Sequence, residues 1–442
     1  MAFQIQKENG LLACLLLLFA CRAILASAIV PPWQGPDEPS HFIPAKQLTV
    51  DAYWASQLPL QQAVLESMGK YRWWEAYGGR TPELLRPEFE HVSSRLSSGS
   101  WGQPVYSGLA AAVLWIAPTT DVESGYWRLR LLSTVLAVAT LGWAWAGTKL
   151  LFGSSVAIGA TSIAALHPQF LLTAISVNAD ALAIALGALI WWLVACVVTE
   201  RRVHMSLLLI VVAAVAAVLT KRNAAPLGAV ATMIAVGWFL GLTTRQISRR
   251  TAAWVIVLLM VGTAVLLISA VAFEIVATQL RLFWRDGLMV RRLPEETTLR
   301  TALDYARLSI DYVWLIVGWL RFSAPEPWLW IVRMLTVVGF GSVAVLAARS
   351  HEVRRPLAIA GLLVFVQVAV VIPWGFLTLS SPQGRYLLPV LAPATALLWL
   401  GLTHAVPARF RPYAAPALIA LLAVMDVTAF TAVLIPAYLP WG

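Results

Sequence analysis

Long apolar segments recur along almost the whole chain and set its fold class. Of the 442 residues, 60% are hydrophobic and only 12% are charged, whereas a soluble domain carries roughly 25% charged residues. A run of about 20 apolar residues can cross a bilayer as a helix. We therefore predict an all-α polytopic membrane protein with about 11 spans. They lie near 11–30, 127–148, 156–174, 181–198, 206–220, 224–242, 252–272, 328–348, 357–374, 386–404 and 413–433.

The distribution of basic residues predicts the orientation of these spans. Cytoplasmic loops are enriched in Lys and Arg. The apolar stretches 104–118 and 311–322 are ambiguous, and excluding both as crossings places five basic loops on the cytoplasmic side, together with the N-terminus. Those loops contain Lys149; Arg201 and Arg202; Arg245, Arg249 and Arg250; Arg349, Arg354 and Arg355; and Arg409 and Arg411. We expect 104–118 to be a helix that lies in, or dips into, the outer face.

This topology predicts one integrated membrane domain over 1–442 with two large external loops that carry amphipathic helices. The first loop covers 31–126 and the second covers 273–327. The net charge of +10 does not indicate a nucleic-acid partner, because no helix-turn-helix or zinc-finger pattern accompanies it. The expected partners are membrane lipids and whatever substrate the external loops bind.

A short acidic motif follows the first span, in the segment Gly35-Pro36-Asp37-Glu38-Pro39-Ser40-His41-Phe42. Proline fixes the local backbone and prevents the first helix from continuing. Carboxylates at a membrane surface are costly unless they have a partner or a task. We predict that Asp37, Glu38 and His41 form an acid/base centre. The alternatives are that the carboxylates are solvated loop charges and that His41 is a local hydrogen-bond partner.

Three other polar segments share the external face in this topology. They are His167–Asp180, Lys221-Arg222-Asn223, and Ser381–Pro389 with Arg385 and Tyr386. Arginine and lysine bind phosphate, and a carboxylate can accept a proton from an attacking hydroxyl.

Each of these segments supplies candidate site residues. Asp37 is the predicted base, and the predicted substrate-binding and phosphate-binding residues are Arg385, Lys221, Arg222, Tyr386 and Asn178. Asp180, with Asp37, could ligate a divalent cation such as Mg²⁺ or Mn²⁺ through oxygen. The alternatives are that Asp180 and Asn178 cap the fourth span, and that the cations snorkel at helix ends.

The motifs resemble those of a bacterial multi-spanning membrane protein family of unknown function that carries an Asp-Glu-Pro-x-His signature. The matching segments are Gly35–Phe42, His167–Phe170 with Asn178–Asp180, Val317–Trp319, and Gln383–Tyr386 with Pro389. Val317 departs from the pattern, because an aromatic residue is expected there. The resemblance extends over most of the chain.

That family is similar in plan to the GT-C glycosyltransferases, which use polyprenyl-phosphate sugars. The resemblance implies an inverting transfer to a glycan, lipid or protein acceptor at the periplasmic face of the bacterial inner membrane. It implies that Asp37 is the catalytic carboxylate, that Asp180 is a second acidic position, and that Arg385 binds phosphate. Fold-level analogy is a weak argument for function. The alternatives are a transporter or flippase of lipid-linked or anionic cargo, and a polymerase or ligase of lipid-linked oligosaccharides.

Overall fold

The computed structural model describes residues 2–49, 58–73, 103–243, 299–317, 322–377 and 382–439. The first half of the fold contains α1 (Ala2–Ile29), α2 (Glu38–Gln47), α3 (Leu58–Lys70), α4 (Pro104–Ile116), α5 (Val122–Phe152), α6 (Ser154–Ala165), α7 (Pro168–Ala174), α8 (Ala179–Val198), α9 (Val203–Thr220) and α10 (Ala225–Thr243). The second half contains α11 (Leu299–Trp314), α12 (Glu326–Arg349), α13 (His351–Leu377), α14 (Leu391–Ala405), α15 (Arg411–Thr428) and α16 (Ile435–Tyr438).

Short irregular elements complete the described fold. Strands β1 (Ile316–Val317) and β2 (Phe322–Ser323) pair antiparallel. A 3₁₀ turn at Arg222–Ala224 precedes α10, another at Gly384–Val390 precedes α14, and a third at Ala408–Phe410 precedes α15. A π-helical segment at Ala429–Leu434 joins α15 to α16.

The prediction of an all-α polytopic membrane protein is confirmed. In the part of the chain that the structure describes, 8 helices are long and apolar enough to cross a membrane, or up to 9 if one bent pair is a single span. Ten of the predicted spans fall on helices of the fold, while 252–272 lies outside the described residues. The predicted boundaries of the two external loops stay predictions.

The third predicted span, 156–174, is not one straight helix. It is divided into α6 and α7, which are inclined by 68°. His167 has an extended backbone and Pro168 begins α7, because proline has no N–H to donate and disfavours helical geometry in the residue before it. At the break, Arg22 of α1 donates to the carbonyl of Ala165 and forms an ion pair with Asp426 of α15. The hydropathy pattern alone does not reveal this bend, because the two helices together are as apolar as one span.

Helices α1 and α5 run antiparallel and are joined by polar contacts at both ends. Lys149 near the end of α5 contacts Glu8 near the start of α1, with the Nζ and Oε2 atoms 2.7 Å apart. At the other end, the Arg130 guanidinium of α5 donates to the carbonyls of Val30 at 2.9 Å and Ser27 at 3.2 Å. A cation at these otherwise unpaired carbonyls stabilises the C-terminus of a helix. Arg130 therefore fixes the point where the chain leaves α1.

Two helical segments at the centre of the bundle, α8 and Gly384–Ala405, carry Asp180 and Arg385. Most of α8 and most of Gly384–Ala405 are buried inside the protein. Gly187 of α8 permits close packing, since a Cβ there would lie 2.0 Å from the Pro389 carbonyl oxygen. Gly384 likewise has no room for a Cβ, which would lie 1.9 Å from the Val313 backbone nitrogen. These contacts press the turn before α14 against α8 on one side and against α11 on the other.

The two ambiguous apolar stretches have short or irregular structures. Helix α4 has 13 residues and is about 20 Å long at 1.5 Å per residue, which is shorter than a bilayer core of about 30 Å. The stretch 311–322 contains the end of α11 and strand β1. Helix α11 is amphipathic. Its residues Ser309, Asp311 and Trp314 are buried against the rest of the protein, whereas Leu299 and Leu303 are exposed.

Candidate functional site

The structure brings the four polar segments together in one ion cluster. The Arg385 guanidinium lies between two carboxylates, 2.6 Å from Asp37 Oδ2 and 3.3 Å from Asp180 Oδ2. The Nζ atom of Lys221 is 2.5 Å from Asp180 Oδ1. We call these four residues the ion cluster. It contains two cations and two anions, so the charges balance.

Only one member of the ion cluster is substantially accessible. The side chain of Asp37 is 43% exposed, whereas those of Arg385, Asp180 and Lys221 are 6%, 2% and 12% exposed. Charges that are buried this far must be paired. Asp37 is therefore an accessible carboxylate that pairs with Arg385. Arg385 and Lys221 are themselves buried and paired with Asp180.

Asp37 and Asp180 are placed by loops that contact each other. Asp37 precedes α2 with a left-handed backbone, at φ 63°. Asn178 caps α8, because its side-chain oxygen accepts from the Asp180 backbone N–H at 2.9 Å. The Asn178 side-chain nitrogen donates to the Pro36 carbonyl at 2.8 Å. The predicted capping role of Asn178 is therefore present, and the same side chain ties the two acidic segments together.

Lys221 and Arg385 are also held by their neighbours. The Arg385 Nε atom donates to Gln383 Oε1 at 2.6 Å. The ring of Tyr386 lies 5.2 Å from Lys221 Nζ and 5.4 Å from the Arg385 guanidinium carbon, distances at which a ring face attracts a cation. Of the remaining predicted phosphate ligands, Arg222 lies exposed on the 3₁₀ turn that follows α9.

Burial and neighbouring charges act in opposite directions on Asp37. Burial favours the neutral carboxyl and raises its pKa, but the charges of Arg385 and Lys221 favour the carboxylate and hold the pKa of Asp37 below its usual value. Burial lowers the pKa of Lys221, while Asp180 opposes that shift. Asp37 is accordingly ionised at neutral pH.

His41 lies beneath Asp37 in α2 and is 4% exposed. Burial, with the positive charge of Lys221, lowers its pKa to about 4. Its ring meets that of Tyr106 edge to face at 5.7 Å. At neutral pH His41 is therefore a neutral, packed side chain.

This shifted pKa makes stability depend on His41 in acid. In the unfolded chain His41 binds a proton near pH 6.5, whereas in the folded protein it does so only near pH 4. The stabilisation is therefore fully present above pH 6.5 and is lost as the pH falls below that value. Between pH 7.5 and pH 5 the loss from His41 amounts to about 2 kcal/mol. Denaturant titrations of the purified protein at both pH values should show this loss. His41→Asn should remove it, and an unchanged pH dependence in that variant would contradict the argument.

Glu38, a predicted catalytic residue, is completely buried. Its Oε1 atom accepts from the Tyr126 hydroxyl at 2.8 Å and from the Val177 backbone N–H at 2.9 Å. Its Oε2 atom accepts from the Gly35 backbone N–H at 2.8 Å. Burial raises the pKa of Glu38, and Arg130 opposes that shift. Both oxygens are therefore engaged within the protein.

The predicted metal site does not fit the side chains as they are arranged. Arg385 lies between Asp37 and Asp180, where a bridging cation would have to bind, and Lys221 contacts the other oxygen of Asp180. Among the described residues, no group of three or more His, Cys, Asp or Glu side chains is arranged to hold a metal ion. The positive charges next to the two carboxylates are those of Arg385 and Lys221.

Two cavities adjoin the elements that carry the ion cluster. A small cavity of about 30 Å³ is lined by Asp180 and Arg385, together with Gln34, Asn178 and Gln169. A larger apolar cavity of about 380 Å³ lies between α11, α12, α13 and α14. Its lining includes Leu387 and Leu388 of the turn that carries Arg385, and Val313, Trp314, Phe340 and Phe365.

Sequence reasoning missed the residues that support the ion cluster. Tyr126 and Arg130 hold Glu38 and the end of α1, and Gln367 donates to the backbone carbonyls of Asn223 at 2.7 Å and Tyr386 at 3.0 Å. Arg130 and Gln367 lie inside predicted spans, and polar or ionisable residues within spans commonly mark a site. That signal was present in the sequence for both.

Comparisons with known proteins give little further information. No protein-family profile matches the chain, and no curated protein matches it in sequence. A solved structure that is similar to this chain is the oligosaccharyltransferase of Archaeoglobus fulgidus in its apo form, with a TM-score of 0.45 and 12% sequence identity. The similarity covers 97% of this chain, which spans 55% of the archaeal one. At this TM-score the similarity carries no argument, so function must be argued from the ion cluster itself.

Proposed function

We propose that this protein is an inverting membrane glycosyltransferase. It takes a sugar from a polyprenyl-phosphate donor and transfers it to a glycan, lipid or protein acceptor at the periplasmic face of a bacterial inner membrane. The observation that carries this proposal is the accessible carboxylate of Asp37, held at 2.6 Å by Arg385 above buried Asp180 and Lys221. A base and phosphate-binding cations are the two groups that such a transfer needs.

The ion cluster suits each part of the reaction. The acceptor hydroxyl oxygen forms a bond to the anomeric carbon while the bond from that carbon to the phosphate oxygen breaks. Asp37 receives the hydroxyl proton, and the polyprenyl phosphate leaves with the electron pair. Arg385 and Lys221 stabilise its charge, since preorganised cations favour the state in which charge develops. The donor phosphate competes with Asp37 for Arg385, which raises the basicity of Asp37 when the donor is bound.

The apolar cavity supports a lipid-linked donor. The turn Gly384–Val390 carries Arg385 and also lines that cavity with Leu387 and Leu388. A donor with a charged phosphate and a hydrocarbon tail has both properties, and this turn offers a cation to the one and an apolar lining to the other. A volume of about 380 Å³ is within the usual size of ligand sites, roughly 300–1,000 Å³.

The placement of the remaining charges is consistent with a site outside the cytoplasm. Asp37 follows α1, and Lys149 pairs with Glu8 at the opposite end of that helix. Lys149 belongs to a loop that the positive-inside rule assigns to the cytoplasm. The ion cluster would then face the periplasm, with the predicted external loops around it.

The proposal is tested by a donor assay in proteoliposomes. The purified protein is supplied with polyprenyl-phosphate donors that carry different labelled monosaccharides, and with membrane glycans, lipids and proteins as acceptors. Transfer of label from a monophosphate donor to an acceptor is the expected result. Transfer of whole oligosaccharides from diphosphate donors alone would instead identify a ligase or polymerase. Movement of labelled lipid across the bilayer without any transfer would identify a transporter, and either of these results would overturn the proposal.

A further inference from the structure

The Glu38 carboxylate joins three separate segments of the fold. It accepts from Gly35 in its own loop, from Tyr126 in α5, and from Val177 in the turn that leads to Asp180, at 2.8, 2.8 and 2.9 Å. Hydrogen bonds to a charged acceptor are among the stronger ones in proteins. One side chain thus connects the loop of Asp37 to the turn of Asp180, and both to the neighbouring helix.

The surroundings of Glu38 leave it no access to a substrate. The residue is 0% exposed, and each of its oxygens already accepts at least one hydrogen bond. A group that transfers a proton to or from a substrate must reach it directly or through one water. Glu38 therefore affects a reaction only through the backbone that it holds.

The backbone that Glu38 holds includes the next residue of the motif, Asp37. Asp37 has a left-handed conformation at φ 63°, which residues with a Cβ adopt uncommonly, although aspartate does so more readily than most. Gly35 is pressed against the same contacts, because a Cβ there would lie 2.6 Å from Ser176 Oγ and 2.7 Å from Glu38 Cδ. The loop is thus closed tightly around the Glu38 carboxylate.

We propose that Glu38 is a positioning residue. It sets the distance and direction of the Asp37 carboxylate relative to Arg385 and Asp180 by clamping the Asp37 loop to the Val177 turn. The expected effect on catalysis rests on the proposed function. The clamp does not, because it consists of hydrogen bonds from backbone amides to Glu38. It replaces the catalytic role that the sequence motif predicted for Glu38.

Two measurements on the full-length protein in lipid nanodiscs test the proposal. The first is the kcat and KM of sugar transfer for Glu38→Ala, Glu38→Gln and Tyr126→Phe. Misplacement of a reacting group by about 1 Å costs on the order of 100-fold in rate, so Glu38→Ala should lower kcat by about that factor and leave the donor KM within about 2-fold. Glu38→Gln keeps an acceptor oxygen for Tyr126 and Val177 but turns its NH₂ group toward the Gly35 N–H, so it should recover only part of the rate. A proton-transferring residue would not be rescued at all.

The second measurement is hydrogen exchange at the amides of Gly35 and Val177, which donate to Glu38. Their exchange should be faster in Glu38→Ala, with no change in α14. The matched control is Glu123→Gln, which removes the charge of an α5 glutamate that accepts from Lys70 and Tyr71 outside the ion cluster, and it should alter neither measurement.

The two measurements separate the failure of the clamp from the failure of the proposed function. If the wild-type protein transfers no sugar, the proposed function fails, while the exchange result still decides whether Glu38 holds the two amides. Unchanged exchange at Gly35 and Val177 in Glu38→Ala would overturn the clamp. So would a Glu38→Gln variant that is as inactive as Glu38→Ala while its Gly35 and Val177 amides exchange as slowly as in the wild type, or a rise in donor KM that accounts for the loss of rate. If Glu38→Ala does not fold, Tyr126→Phe removes one of the three donors and should give a smaller change of the same kind.

Discussion

Asp37→Asn is expected to lower the kcat of sugar transfer by about 10²–10⁴-fold, the usual contribution of a general base. The amide cannot accept the proton of the acceptor hydroxyl, yet it keeps the size of the carboxylate. The Arg385 guanidinium, now 2.6 Å from a neutral oxygen instead of a carboxylate, becomes freer to bind the donor phosphate. The donor KM should therefore stay level or fall. Initial rates in proteoliposomes over a range of donor concentrations measure both constants.

A matched substitution separates this effect from a general loss of charge. Asp304 is exposed on α11, outside the ion cluster, so Asp304→Asn should transfer sugar at the wild-type rate. Both variants should elute as the wild type does in gel filtration. If Asp37→Asn retained the wild-type kcat with its fold intact, Asp37 would not be the base.

The broad fold could be predicted from the sequence because apolar length is a strong and local signal. Ten of the predicted spans fall on helices, and the 13 residues of α4 agree with the expectation, drawn from the basic loops, that 104–118 is not a crossing. Hydropathy alone could not show the break near His167, because α6 and α7 together have the hydropathy of one span. Pro168 was a local signal for a break, whereas the Arg22–Asp426 pair joins residues that are far apart in the sequence and could not be predicted.

The predicted topology was sufficient to indicate which residues form the ion cluster. It was not sufficient to indicate how their side chains are arranged. Span counting placed Asp37, Asp180, Lys221 and Arg385 on one face, and charged groups near a membrane tend to pair. The sequence could not show that Arg385 lies between the two carboxylates. Nor could it separate the roles of Asp37 and Glu38, which are adjacent in the motif, because their difference in exposure is set by Tyr126 and Val177.

Asp426→Asn is expected to destabilise the protein by about 3–5 kcal/mol, the cost of removing one partner from a buried ion pair. The side chains of Arg22 and Asp426 are 8% and 10% exposed, so Arg22 would be left charged with little access to water. The Arg22 guanidinium also donates to the carbonyl of Ala165 at the end of α6. Losing its order would loosen the break that leads through α7 to Asn178 and Asp180. Unfolding in mixed micelles, followed by circular dichroism during titration with dodecyl sulfate, measures the change.

The double variant Arg22→Met with Asp426→Leu provides the decisive control. Replacing both charges with apolar side chains removes the unpaired cation, and such exchanges of buried ion pairs are often close to neutral. The double variant should therefore be more stable than Asp426→Asn alone, although the Ala165 carbonyl loses its donor. Asp304→Asn should unfold as the wild type does. If the double variant were less stable than Asp426→Asn, the bend between α6 and α7 would need Arg22 itself, as a donor to Ala165, more than it needs the pairing of its charge.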